Sequence, residues 1–229
     1  AGETITFSYA VVATDDSGTA NAASAAQTVT ITITGTNDAP VLSFVTDNNA
    51  GAVQEDTALS VSGQFSSTDS DHAATATWTI NGSASGIYGS IAVDSTGKWT
   101  YTLANGTDGV ASAVQSLGAG ESHDEVFTVQ VSDGLGGVDT QLVTVTVTGT
   151  NDAAVLSSAN VTLTETNAPL STSGTLTISD IDSAATFVTQ TNIAGSYGQF
   201  SIGTGGAWTY VADPAHNEFV AGTTYTDTF

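Results

Sequence analysis

A stretch read at residues 27–41 as QTVTITITGTNDAPV returns at residues 141–155 as QLVTVTVTGTNDAAV. Other pairs keep nearly the same offset. GKWTY at 97–101 returns as GAWTY at 206–210, Tyr88-Gly89 as Tyr197-Gly198, and Asp69-Ser-Asp71 as Asp180-Ile-Asp182. AGE stands at 1–3 and 119–121, with AGT at 221–223. Repeats of about 20–50 residues build solenoids whose units bury no core alone, whereas a unit of about 110 residues is a whole domain. Residues 1–38 therefore read as the C-terminal strands of a preceding repeat, 39–150 as a complete repeat, and 151–229 as a third repeat without its last two strands.

The complete copy can be read strand by strand. Val143, Val145 and Val147 alternate with threonines, as do Phe127, Val129 and Val131 with polar residues, which is the period-2 signature of strands buried on one face. Asp133-Gly-Leu-Gly-Gly137 supplies the hairpin turn between them. Trp99 and Tyr101 share a face, as do Trp78 and Ile80; Leu59, Val61 and Phe65 mark an earlier strand, and Val41 to Val45 the first. About seven short strands, with turn signals every 8–15 residues, predict an all-β two-sheet sandwich. Residues 110–120 allow a short helical turn before the sixth strand.

Charge narrows the partners. One basic residue, Lys98, stands against 23 acidic ones, for a formal charge of -22. Nucleic acid and anionic membrane surfaces both require Lys and Arg, so both are excluded. With 40% hydrophobic and only 10% charged residues, this is a folding chain and not a disordered acidic tail. The absence of Cys removes zinc–thiolate sites, iron–sulfur clusters and cysteine nucleophiles. No apolar run approaches the roughly 20 residues that span a bilayer. Because Ala1 falls mid-pattern, the chain reads as an internal piece whose export signal lies elsewhere.

The strings TITITGTNDAP at 30–40 and VTVTVTGTNDA at 143–153 resemble the end of a VCBS repeat. So do Tyr-Gly followed by Gly-x-Trp-Thr-Tyr, and Leu117-Gly-Ala-Gly-Glu121 followed by FTVQVSDG at 127–134. The resemblance covers essentially the whole chain. It implies immunoglobulin- or cadherin-like sandwiches in tandem, as in giant bacterial RTX-type surface adhesins and biofilm proteins, with calcium at the junctions. Two departures are the stop of the third copy at Phe229 and Ala154 in the second linker where the first has Pro40.

The acids cluster at domain ends. Set in a seven-strand sandwich, the linkers give Asn37 and Asp38, or Asn151 and Asp152. The loop after the second strand of the next domain gives Asp69 and Asp71, or Asp180 and Asp182. The lower end of the preceding domain gives Glu3 at the first junction, and Glu55 and Glu121 at the second; Asp133 lies at the same upper end as Asp69. Several carboxylates with no His or Cys suit Ca²⁺, which takes 6–8 oxygen ligands, and cadherin linkers resemble this arrangement. Asn-Asp and Asp-Ser-Asp are also ordinary turn formers. Convergence of so many acids with no Lys or Arg to neutralise them favours the metal.

Other candidates carry less. Asp15, Asp16 and Glu125 read as surface charge, and His72, His123 and His216 as isolated loop residues. Gly134–Gly137 and Gly203–Gly206 read as hairpin turns, and Trp78, Trp99 and Trp208 as core. No nucleophile elbow, phosphate loop or HExxH occurs, so an enzyme is not expected. Asn81, Asn105 and Asn160 open glycosylation sequons of weak meaning. The expected function is that of calcium-stiffened spacer repeats of an extracellular adhesin or surface fibre, with neighbouring repeats as partners. The alternatives are a carbohydrate- or partner-binding module and an accessory domain of a secreted hydrolase. The odd register of the ends fits either a window of a longer chain or head-to-tail self-association, with the front strands of one molecule completing the third copy of the next.

Overall fold

The computed structural model describes the chain apart from residues 1, 21–22, 46–47, 109, 167, 214–215 and 217. Among the described residues every regular element is a strand, and no helix is long and apolar enough to cross a membrane. The strands are β1 (Thr4–Val11), β2 (Gln27–Thr34), β3 (Val41–Phe44), β4 (Ala50–Gln54), β5 (Ser60–Thr68), β6 (Thr77–Asn81), β7 (Gly89–Val93) and β8 (Lys98–Leu103). They continue as β9 (Ser122–Ser132), β10 (Val138–Thr148), β11 (Val155–Leu156), β12 (Ser171–Thr175), β13 (Ile178–Ser179), β14 (Gln190–Ala194), β15 (Gly198–Ile202) and β16 (Ala207–Ala212). Two compact units result: residues 1–52, 60–102 and 124–146 form one, and 53–59, 103–123 and 147–229 the other.

In the first unit β1 and β2 form a two-stranded sheet whose register places Ile5 opposite Ile33, Phe7 opposite Ile31 and Tyr9 opposite Val29. Alternation puts these apolar pairs on one face and threonines on the other. The larger sheets run β3–β5–β8–β7 and β4–β10–β9–β6. Residues 41–149 thus hold eight strands, not about seven. The first strand expected at Val41 to Val45 is β3, which pairs with β5; β4 is an additional strand that joins β10 in the other sheet. The predicted inward residues are buried, among them Phe65, Trp99, Tyr101, Phe127, Val129, Val131, Val143 and Val145. Trp78 is half-buried and stacks on Phe65 at 6.5 Å.

The second unit buries Val53, Leu103, Val114, Leu117, Val147, Ile202 and Trp208. Residues 113–116 form a hydrogen-bonded turn before β9, with the Leu117 amide bonded to the Val114 carbonyl at 2.9 Å. The third copy forms a sheet β12–β16–β15–β14 and a short β11–β13 pair. Here β14 bonds β15, whereas its counterpart β6 bonds β9.

Two devices recur in both units. Gly63 faces Trp99 across the β5–β8 pair, and Gly174 faces Trp208 across β12–β16. A Cβ on Gly63 would come within 2.6 Å of the Trp99 indole nitrogen, and one on Gly174 within 2.8 Å of the Trp208 ring. Glycine is what lets the indole lie over the neighbouring strand. The second device is a carboxylate under the Tyr-Gly turn, buried in the first unit and half-buried in the second. Glu125 accepts the Tyr101 hydroxyl at 2.5 Å and the amides of Ile87 and Tyr88. Asp227 accepts the Tyr210 hydroxyl at 2.8 Å and the amides of Ser196 and Tyr197. Glu125 is therefore not surface charge: it is 8% exposed, on the inward parity of Phe127, Val129 and Val131. Burial, then the bond to Glu125, drives the Tyr101 hydroxyl far above its ordinary pKa.

Candidate metal centre

The first linker, in the first unit, folds on itself before it meets anything else. The Asn37 side-chain amide donates to the Asp38 carbonyl at 3.0 Å, and the Asp38 amide to Asp71 Oδ2 at 2.9 Å. Asp71 in turn donates its amide to Asp69 Oδ1 at 2.8 Å. Asn37 also reaches Asp133 Oδ2 at 2.7 Å, and Asp133 Oδ1 accepts the Leu135 and Gly137 amides of its hairpin turn. These donors, Asn37 first, hold the Asp133 carboxyl below its ordinary pKa. Buried and without a hydrogen-bond partner are Asn37 Oδ1 and Asp69 Oδ2. Glu3 lies 3.4 Å from His72, both well exposed. A cavity of about 240 Å³ is lined by Pro40, Asp69, Asp71 and Thr75 among others.

In the second unit the same linker residues repeat the same bonds. Asn151 donates to the Asp152 carbonyl at 2.5 Å, the Asp152 amide to Asp182 Oδ2 at 3.1 Å, and the Asp182 amide to Asp180 Oδ1 at 3.2 Å. What differs is what surrounds them. One carboxylate oxygen each from Glu55, Asp56 and Asp152 lie within 4.8 Å of one another. Glu55 is 0% and Asp152 3% exposed. Glu55 Oε1, both Asp152 carboxylate oxygens and Asp182 Oδ1 are buried with no hydrogen-bond partner.

Such a cluster is electrostatically unfavourable as it stands. Burial raises the Asp152 pKa to about 6; Asp108, which bonds it only when one of the two carboxyls holds a proton, adds to this, as do the charges of Glu55, Asp108 and Asp56. Glu55 is raised as well, by burial first and then by Asp56, Asp182 and Asp108, although the Thr150 amide bonded to its Oε2 at 2.9 Å lowers it. The only Lys or Arg of the chain, Lys98, has Asp94 as its charged neighbour. Buried carboxylates without partners are costly unless a cation compensates them. The fit to a hard cation is therefore good: all donors are oxygens, several are ionisable, and unpartnered lone pairs converge.

Glu121 lies at this end but is engaged locally. Its Oε2 accepts the Gly118 amide at 3.2 Å and its Oε1 pairs with His123 at 2.9 Å. A methyl group on Gly118 would sit 3.6 Å from the Asp182 carbonyl. Asp56 and Asp108 belong to the cluster and were missed in the sequence. The Glu55-Asp56 pair was visible there, while Asp108 stands alone in an Asn-Gly-Thr-Asp-Gly loop with no repeat partner to flag it. His216 is also not a solvated loop residue. It stacks on Phe219 at 4.5 Å and bonds Glu218 and the Tyr197 carbonyl, which together raise its pKa.

Residues 37–149 match the bacterial cadherin-like domain family. Similar solved structures include protocadherin gamma B7 cadherin domains 1–4, at 16% identity and TM-score 0.40, covering 93% of this chain and 49% of that one. Human CDH23 EC21-23 gives 16% identity and TM-score 0.42 over 93% of this chain and 66% of that one. Drosophila N-cadherin EC1-4 gives 14% identity and TM-score 0.35 over 95% and 51%. The chain thus spans about half to two thirds of the length of these structures. No curated protein matches it. Residues 37–149 thus carry a cadherin-like β-sandwich domain, and the segments on either side repeat parts of its sequence.

Proposed function

We propose that these repeats are extender modules of a large extracellular adhesin or fibre at the bacterial surface, stiffened by Ca²⁺ at the junctions between repeats. The observation that carries this reading is the set of buried, unpartnered carboxylate oxygens on Glu55, Asp152 and Asp182. Glu55, Asp56, Asp108, Asp152, Asp180 and Asp182 would hold the ion at the second junction, with Glu121 at its edge. Asn37, Asp38, Asp69, Asp71, Asp133 and Glu3 form the counterpart at the first. A bound divalent cation supplies charge that offsets the repulsion and ties the linker to loops on either side. Extracellular Ca²⁺ modules typically bind at roughly 10⁻⁴–10⁻³ M.

A structural role makes the protein's own contribution mechanical. Each sandwich supplies a fixed length, and each bridged linker limits bending, so that a distal binding module is held away from the cell. Small-angle scattering of the chain in chelator and in millimolar Ca²⁺ tests this. Calcium should lengthen and narrow the particle and raise its melting temperature. Identical profiles and identical melting would overturn the reading.

A further inference from the structure

The loop between β8 and β9 approaches the second cluster with groups that are not carboxylates. Asn105 makes a reciprocal pair with Asp56: its side-chain nitrogen donates to Asp56 Oδ1 at 2.8 Å, and its oxygen accepts the Asp56 amide at 2.9 Å. Gln115, whose side chain is fully buried, directs its amide at the same Asp56 oxygen at 3.4 Å. Thr150 Oγ1 meets the other oxygen, Oδ2, at 3.3 Å. Asp56 itself has φ +58°, a left-handed backbone uncommon outside glycine, which aspartate and asparagine enter more readily than most residues.

These observations belong together. A residue in left-handed backbone aims its side chain in a direction that a β or turn conformation would not, and it holds that conformation only when its surroundings require it. The reciprocal Asn105 bonds supply the requirement, occupying both the Asp56 amide and one carboxylate oxygen. An asparagine is suited because one planar group must donate and accept at once. Alanine would lose both bonds, and aspartate would lose the donor and add a repelling charge.

The third copy offers an internal comparison. GAWTYVADP at 206–214 aligns with GKWTYTLAN at 97–105, and Thr-Glu-Thr at 164–166 aligns with Gln-Glu-Asp at 54–56. Where Asp56 is replaced by Thr166, Asn105 is replaced by Pro214, while the glutamate position is retained as Glu165. Carboxylate and amide are lost together.

We infer that Asn105 is a positioning residue of the cation site: it fixes Asp56 in left-handed backbone so that its carboxylate stands beside Glu55 and Asp152 before any ion arrives. The inference rests on the calcium reading above. Partners that orient metal ligands typically account for 10–100-fold in affinity. It also removes Asn105 from consideration as a glycan acceptor, since its amide is engaged.

Calorimetric titration with CaCl₂ of the wild type, Asn105→Ala, Asp56→Gly and the double variant tests it. Asn105→Ala should weaken binding roughly tenfold or more, and the double variant should bind no more weakly than Asp56→Gly, because Asn105 acts through that carboxylate. A purely structural role would lower melting equally with and without calcium and leave Kd unchanged. An unchanged Kd in Asn105→Ala, or additive losses in the double variant, overturns the inference and leaves the calcium reading intact. No saturable binding by the wild type overturns both. A measurement on the wild type guards against a variant that does not fold. The Asn105 side-chain amide protons should be protected from exchange in chelator as well as in calcium, and exchange at the solvent rate would overturn the inference.

Discussion

The two linkers carry the same Asn-Asp pair and fold it through the same three bonds: Asn side chain to the next carbonyl, Asp amide to the second acid of the Asp-x-Asp loop, and that acid's amide to the first. Yet the carboxyls around them are held differently. At the first, Asp133 is wrapped by donors and held below its ordinary pKa. At the second, Asp152 lies among carboxylates, with no donor to its oxygens, and is pushed up to about 6. Local sequence sets the turn; the loops that tertiary structure brings over it set how many buried, unpartnered carboxylates surround it. The second cluster includes Glu55, Asp56 and Asp108, whose equivalents at the first linker fall, in the repeat register, outside residues 1–38.

The largest effect that would break this contrast comes from neutralising one acid at each linker. Asp152→Asn should stabilise the calcium-free protein, by relieving repulsion, and destabilise the calcium-loaded protein, so that its melting curves cross those of the wild type. A ligand at a hundredfold excess over Kd contributes about 2.7 kcal/mol, and most of that should vanish in the variant. Asp38→Asn, whose side chain is exposed, should shift either state far less. Equal responses at the two linkers would remove the distinction.

The next effect is in pH, measured in chelator. Asp152 binds its proton more tightly folded than unfolded, so its contribution is greatest at low pH and is lost as pH rises from about 4 to about 6. Asp133 has the opposite sign: its contribution is present above the unfolded value and is lost as pH falls through its lowered folded value. Denaturant unfolding across pH 3–7 (roughly, the window of both carboxyls) should show the neutral-side decline abolished in Asp152→Asn and the acid-side decline reduced in Asp133→Asn. A wild-type stability that rises steadily from pH 4 to 6 would contradict the Asp152 assignment.

The sheets were legible because period 2 is a local property: Val143, Val145 and Val147 announced a buried face, and it is buried. The same rule placed Glu125 on the inward face, and its charge alone made it look like surface. Its partner, Tyr101, is 24 residues away and comes to it only through the pairing of sheets. The linker and the Asp-x-Asp loops were legible because they repeat. Asp108 and Asn105 were not, since the loop that carries them differs between copies and its approach to Asp56 is a tertiary event. The change of sheet between β3 and β4 was hidden for a like reason: short strands show where they alternate, not which sheet they join.

The smallest effect concerns the rim of the first cluster. Glu3 and His72 form an exposed pair at 3.4 Å, and exposed pairs contribute about 0.2–1 kcal/mol at most. Glu3→Gln should leave melting in chelator nearly unchanged. A large loss would show that the first linker depends on that contact more than an exposed pair allows.

The central claim is that the buried oxygens of Glu55, Asp152 and Asp182 are arranged for a cation. Its most direct test is a crystal structure of the chain grown in calcium. The account predicts an ion at the second junction, with ligand distances of about 2.3–2.6 Å to oxygens of Glu55 and Asp152. An empty cluster in saturating calcium, with Asp152 sharing a proton with Asp108 instead, would contradict it.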